Sequence, residues 1–181
     1  MVAGFECSGN RGPPQGLSGN GRWTGLPLRE VLIKAGVRPE AREFVFFGAD
    51  RGDEDVEWRT QTFKVQQQFG RALTREKAMS PEPFVAHALN GEPLTRHQGS
   101  PLRLIVPGWY GVSNVKWLSE IHVQEERYLG KFQARWYRTF KGEMIDGDEV
   151  GRDRHQPHAV EVLHRLVLRA TASTTQSWAL C

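Results

Sequence analysis

The chain has 181 residues, 39% of them hydrophobic and 25% charged, a composition of ordinary soluble domains that excludes a disordered tail and a disulfide-built miniprotein. A chain of this length buries roughly 70% of the surface its unfolded state exposes, so the core needs no metal or disulfide staple. The 24 Lys and Arg against 21 Asp and Glu leave a net charge of +3, too small and too dispersed to argue for a nucleic-acid partner, and no apolar run is long enough to span a membrane.

Residues 1–6 lack the basic start and apolar stretch of an export signal, which leaves periplasm and cytoplasm both open. After Cys7, residues 9–25 hold six glycines and two prolines and are predicted to form an irregular loop. Leu28, Val31, Leu32 and Ala35 recur at helical spacing ahead of Gly36, predicting a helix over 26–35. Phe44-Val45-Phe46-Phe47 predicts a buried strand, and the acidic stretch 50–57 a loop. A second strand is expected over 60–65 and a short helix over 73–79. The apolar run 84–89 closes on the Asn90-Gly91 turn signal. Strands are expected over 102–106, broken by Pro107-Gly108, and over 115–123; residues 160–168 read as a strand or a helix. The sum is an α+β, β-rich domain of mixed sheets, short helices and long loops. It is expected to fill residues 1–170, with 171–181 an unpatterned tail.

The two cysteines, Cys7 and Cys181, stand at opposite ends of the chain and exclude paired-thiolate zinc sites, iron–sulfur clusters and haem attachment. Cys7 reads as a small buried hydrophobe or as a reactive thiol. The polar Ser8-Gly9-Asn10-Arg11-Gly12 that follows it would favour the thiolate needed for a nucleophile or a soft metal ligand. A second constellation gathers Arg96, His97, Gln98, Arg103 and Lys116 around Gly99, Gly108 and Gly111. Closely spaced cations and glycines suit a phosphate or another anion, or form a solvated basic loop. Neither a Walker loop nor a dinucleotide-binding glycine motif occurs in the sequence. His155, His158 and His164 read as a solvated polar segment rather than a zinc site, because Pro157 intervenes and no thiolate accompanies them.

Together, Cys7-Ser8-Gly9-Asn10-Arg11, Trp23, Phe47-Gly48-Ala49-Asp50, Asn90-Gly91-Glu92-Pro93-Leu94, Gly99-Ser100-Pro101-Leu102-Arg103, Val106-Pro107-Gly108 and Val115-Lys116-Trp117-Leu118 resemble the molybdopterin-binding domain of the sulfite oxidase family, in the family's order. The resemblance implies that fold and a molybdenum–molybdopterin cofactor, with Cys7 as the only protein ligand to the metal. It implies cofactor contacts from Asn10, Arg11, Asp50, Gln98, Arg103, Ser113, Lys116 and Trp117. Arg103 and Lys116 would offset the phosphate, and the backbone N–H groups of Ser113 and Asn114 would face the same ligand. It further implies Tyr137 beside the metal and Trp23 in the substrate pocket, a small oxyanion or similar substrate, and a separate electron-acceptor protein such as a cytochrome.

Two positions depart from the animal and plant sulfite oxidases. Gly12 stands where they have a second arginine, and Gln98 where they have a histidine, which points toward the bacterial members and their other substrates. The family's segment before the metal cysteine has no counterpart here, so the domain is expected to be incomplete at its N-terminus. Two other readings compete with a redox enzyme: a non-catalytic fragment or interaction module that keeps the fold without the cofactor, and a hydrolase using Cys7 with a histidine base.

Overall fold

The computed structural model describes residues 1–9, 16–134, 136–137, 139–145 and 148–154. Strands β1 (Val2–Glu6), β2 (Ser18–Pro27), β5 (Phe84–Leu89), β6 (Glu92–Pro93) and β7 (Arg103–Ile105) form one sheet, in which β2 lies between β1 and β5, and β6 and β7 both pair with β5. In a second sheet β3 (Glu43–Trp58) is central, flanked by β4 (Gln61–Thr74) and β8 (Leu118–Gln124). Strands β9 (Thr139–Ile145) and β10 (Asp148–Arg154) pair as a separate hairpin. Helices are brief: α1 (Leu28–Lys34), α2 (Arg75–Ala78) and α3 (Lys131–Ala134). The α+β, β-rich architecture agrees with the sequence reading. Every ladder among the described residues is antiparallel where mixed sheets were expected. Helices of four to seven residues are too short for the crossovers that parallel pairing requires.

Alternation along β5 and β7 divides the core. Val85 and Leu104 join Phe44, Phe46, Leu73, Val106, Trp109 and Val115 with α1 residues Leu28 and Leu32 in one cluster. Phe84, Ala86 and Ile105 join Ala3, Trp23, Leu89 and Leu94 in the other, with Phe5 packed against it. The candidate site grows from the second cluster and from the turns that bridge to the first. Asn90 (φ 54°) and Gly91 (φ 92°) make the left-handed two-residue turn that reverses β5 into β6, as the Asn-Gly signal predicts.

Two expected loops are strands. The predicted 9–25 loop gives way to β2 at Ser18, because its glycines serve close backbone approach: a Cβ on Gly25 would stand 2.0 Å from the Val85 carbonyl oxygen and 2.7 Å from Ala86 Cα. The predicted 50–57 loop is the outer half of β3, which pairs residue by residue with β4 from Arg51↔Gln68 to Trp58↔Gln61. Its acidic composition reflects a two-stranded ribbon that meets solvent, with Trp58, Phe63 and Val65 exposed. The helix expected over 73–79 contracts to α2, capped by the Thr74 side chain, which accepts from the Lys77 N–H. Residues 160–168, the histidines from 155 onward and the 171–181 tail lie outside the described residues.

Gly25→Ala is expected to destabilise the protein by about 1–3 kcal/mol, since backbone atoms must move to admit the methyl group. Gly52→Ala, in open space on the ribbon, is expected to shift stability by less than about 0.5 kcal/mol. Paired urea titrations read both, and equal midpoints would contradict the close-approach argument.

Candidate functional site

Cys7 follows β1 in a turn. Its N–H donates to the Leu17 carbonyl at 2.9 Å, closing the loop between β1 and β2, and its Sγ accepts from the Gly9 N–H at 3.5 Å. The thiol is free and half-buried. Asn10 and Arg11 lie outside the described residues. Two residues before Cys7, Phe5 packs against Trp23 with ring centroids 5.2 Å apart. Trp23 is buried and its indole N–H donates to the Ala3 carbonyl at 3.2 Å, so β1 and the tryptophan fix each other.

Arg103 completes this stack. Its guanidinium carbon lies 5.0 Å from the Trp23 ring centroid and 5.2 Å from that of Phe5. Register explains the placement: Arg103 pairs with Ala86, whose side chain belongs to the Trp23 cluster. Nη1 donates to the Gln98 carbonyl at 2.8 Å and Nη2 to the Asn114 carbonyl at 3.1 Å, while the buried Nε has no partner. Burial lowers the Arg103 guanidinium to about 10, which still leaves it cationic at neutral pH.

Gln98 ends the 3₁₀ turn Arg96–Gln98. Its Oε1 accepts from the Thr95 N–H at 2.9 Å while the Thr95 Oγ1 accepts from the Gln98 N–H at 3.4 Å, a reciprocal capping box. Gly99 at φ 99° then lets the chain lie against Lys116, for a Cβ there would stand 2.7 Å from Lys116 Cβ. Lys116 Nζ donates to the His97 carbonyl at 3.2 Å and sits 4.4 Å from the Trp117 ring centroid. The Trp117 indole donates to the Arg96 carbonyl at 2.8 Å, and Trp117 holds a left-handed φ of 49°. Asp50 is exposed on β3, at an irregularity in the ladder rather than in a loop. Its neighbour Ala49 donates to the Trp117 carbonyl at 2.9 Å, which brings the Asp50 backbone to the Lys116–Trp117 segment.

The 3₁₀ turn Gly111–Ser113 corrects one expectation. The Ser113 N–H donates to the Tyr110 carbonyl at 2.9 Å and the Asn114 N–H to the Gly111 carbonyl at 3.0 Å. Both backbone donors are spent inside the turn, because an i→i+3 turn closes on its own carbonyls. The Asn114 side chain serves the same turn, with Oδ1 accepting from Val106 at 2.7 Å and Nδ2 donating to Tyr110 at 3.1 Å. What Ser113 offers is its hydroxyl, 3.4 Å from Nη2 of Arg71.

Arg71 was not legible as a site residue. It lies on β4, 1% exposed, and its Nη1 donates to the Phe132 carbonyl. A charged residue inside the apolar run Phe69-Gly70-Arg71-Ala72-Leu73 was the available signal. The segment carrying Tyr137 is fastened to β4 at this point: Ala72 N–H donates to Gln133 Oε1 at 2.8 Å, and Phe69 meets Phe132 at 5.1 Å between centroids. Tyr137 itself is 37% exposed, has a left-handed φ of 59°, and its ring lies 6.4 Å from that of Phe132. A non-glycine residue held there is strained, as is common where a side chain must be aimed.

Thus the structure joins Trp23, Arg103 and Gln98, and through Phe5 the Cys7 turn; it joins Lys116 and Trp117 with the Asp50 strand; and it joins Ser113 to the Tyr137 segment through Arg71. No helix of the described residues is long and apolar enough to cross a membrane.

Comparison with known proteins supplies the family. Sulfite oxidase of Arabidopsis thaliana is 32% identical over 179 residues, covering 87% of this chain and 43% of that protein. Mitochondrial sulfite oxidase of Drosophila melanogaster is 32% identical over 156 residues, 77% of this chain and 25% of that protein. NADH nitrate reductase of Ulva prolifera is 28% identical, covering 84% of this chain and 17% of that protein. The chain therefore spans less than half the length of these relatives. Among solved structures, the sulfane dehydrogenase SoxCD from Paracoccus pantotrophus superimposes with a TM-score of 0.63 at 28% identity, over 83% of this chain and 37% of that one. The family described as the oxidoreductase molybdopterin binding domain matches residues 1–132, and the chain belongs to that family, a sulfite oxidase-type domain for the molybdenum cofactor.

Proposed function

We propose that this chain holds a molybdenum–pterin centre through Cys7 and acts in a two-electron oxygen-atom transfer of the sulfite oxidase type. The observation that carries the reading is the buried Arg103 guanidinium, stacked on Trp23, with an orphaned Nε and no carboxylate partner among the described residues. A buried cation of that kind calls for an anion, and a pterin phosphate is one. The residues present fit the group: a free thiol for a soft metal, cations for the phosphate, and Asp50 as an acceptor for pterin N–H groups.

When bound, the cofactor supplies the redox and oxygen-transfer chemistry; the protein supplies orientation and electrostatics. Cys7 would be the single protein ligand, held in place by its bond to Leu17 and by Phe5 wedged against Trp23. Arg103 and Lys116, together with Arg11, would grip the phosphate and pterin. Gln98, with its Oε1 committed to the capping box, keeps its amide hydrogens for the same ligand. Trp117 would wall the pterin side, and the Ser113 hydroxyl would lie at its border. Tyr137 would donate a hydrogen bond to the substrate, a small oxyanion or similar molecule, and Trp23 would wall the pocket beneath it. Electrons would leave to a separate acceptor protein such as a cytochrome.

Cys7→Ser is expected to remove one sulfur neighbour from the molybdenum X-ray absorption spectrum and to abolish turnover, with the melting temperature unchanged. An unaltered sulfur count would sink the ligand assignment. A wild-type protein that melts cooperatively yet carries neither pterin nor molybdenum would favour the non-catalytic module.

Lys116→Ala is expected to weaken cofactor retention on the order of tenfold, by loss of a charge-assisted contact to the phosphate. Pterin fluorescence after dialysis measures it; retention equal to wild type would remove Lys116 from the phosphate grip.

A further inference from the structure

Arg71 is a second cation buried without a counter-ion among the described residues. It is 1% exposed, it makes no ion pair with any described carboxylate, and its Nε has no hydrogen-bond partner. Its hydrogen bonds among the described residues go to neutral acceptors, the Phe132 carbonyl and the Ser113 hydroxyl. Among the described residues, the ionisable side chains that interact with it are the phenols of Tyr137 and Tyr128. Burial raises the Tyr128 phenol above its ordinary value, so that hydroxyl brings no negative charge at neutral pH. Burial also lowers Arg71 to about 10, so the guanidinium stays charged where the protein works.

A strand interior gains nothing by keeping such a group for shape alone, since an apolar residue would fill the space without the cost of a desolvated charge. The hydroxyl of Ser113 and the strained, solvent-reaching Tyr137 flank it, and the family resemblance makes both of them candidate site residues. Arg71 also anchors the Tyr137 segment through Phe132, so the cation and the phenol are held in fixed relation.

We propose that Arg71 is the specificity-determining cation for the substrate, binding a small oxyanion between its guanidinium and the Tyr137 hydroxyl. The assignment rests on the oxygen-transfer reading above for the identity of the reaction. The anion site itself rests only on the burial and unmet hydrogen bonding of Arg71. The planar guanidinium offers its unpaired N–H groups to two oxygens at once, a fit that lysine cannot reproduce.

Inorganic sulfate serves as the probe, titrated calorimetrically into wild type, Arg71→Met, Arg71→Lys and Tyr137→Phe, with molybdenum and pterin content measured on each. Sulfate binding is expected to weaken at least about tenfold in Arg71→Met and less in Tyr137→Phe, with cofactor content unchanged. Arg71→Lys, which keeps the charge and is the variant to read should Arg71→Met fail to fold, is expected to fall between wild type and Arg71→Met. In turnover, KM for the oxyanion is expected to rise more than kcat falls. Sulfate affinity that is indifferent to both substitutions overturns the proposal. So does loss of pterin with sulfate affinity retained, which would assign Arg71 to the cofactor phosphate. Wild-type protein that binds sulfate through Arg71 but contains no molybdenum leaves the anion site standing and sinks the redox reading alone.

Discussion

Two buried guanidiniums close on adjacent residues of one turn. Arg103, from the five-stranded sheet, holds the Asn114 carbonyl; Arg71, from the three-stranded sheet, holds the Ser113 hydroxyl. The Gly111–Ser113 turn is therefore one point at which the sheets are tied by polar contacts as well as by the shared apolar cluster of Phe46, Val85, Leu104 and Val115. Its Ser113 and Asn114 backbone N–H groups are consumed internally and the Asn114 side chain ties it to Val106 and Tyr110, so it behaves as a rigid bracket. Each arginine then reaches outward from the bracket to a different part of the candidate site. Arg103 reaches Gln98, Trp23 and Phe5, hence the Cys7 turn; Arg71 reaches Phe132, hence the Tyr137 segment.

This arrangement explains how a domain with only short helices can aim side chains drawn from positions 7 to 137. The strands supply register and carry Trp23, Asp50 and Arg71, while most of the other candidate groups sit at strand ends or in the turns between strands, where chain direction is free to change. Backbone strain is concentrated at the same places. Trp117 and Tyr137 both hold left-handed φ values that a non-glycine residue adopts only when neighbours enforce it. For Trp117 the enforcing bond is its indole to Arg96; around Tyr137 it is the fastening of residues 128–134 onto β3 and β4, with Glu43 of β3 accepting the Tyr128 N–H at 2.6 Å and Gln133 accepting from Ala72 of β4.

What could be read from the sequence follows from how local the signal was. Asn90-Gly91 specifies its turn within two residues, and Phe44–Phe47 advertises burial by composition, so both were visible. The outer ribbon was not, because solvent on a two-stranded arm erases the alternation by which strands are recognised: acidic residues 53–57 looked like a loop. The β2 glycines misled for the opposite reason. They mark close packing against Val85 and Leu89 across the sheet, a partner absent from any local window. In the site, ordered motifs made Cys7, Arg103, Lys116 and Trp117 recognisable. Arg71 belongs to none of those motifs, and it becomes a candidate only when its lack of a carboxylate partner among the described residues is known in three dimensions. The backbone donors of Ser113 and Asn114 were misassigned because turn closure is settled by dihedral angles and not by residue type.

The electrostatics of the two arginines give the bracket its purpose. A guanidinium whose folded value is lowered by burial costs stability wherever it is charged. That cost holds across the neutral range and is relieved only as pH rises past about 10, when the folded form sheds a proton that the unfolded chain still keeps. Two such groups, each desolvated at an effective cost of several kcal/mol before their hydrogen bonds are counted, make the ligand-free protein less stable than its apolar packing would allow. An anion beside either one reverses the sign, raising the guanidinium toward its ordinary value and returning the lost stability as binding energy. Cations fixed in advance on a rigid turn need no reorganisation when the anion arrives, and so they are suited both to retaining a phosphorylated cofactor and to selecting an oxyanion substrate. On the proposed reading, the instability stored around Ser113 and Asn114 would be the physical form of the site's specificity.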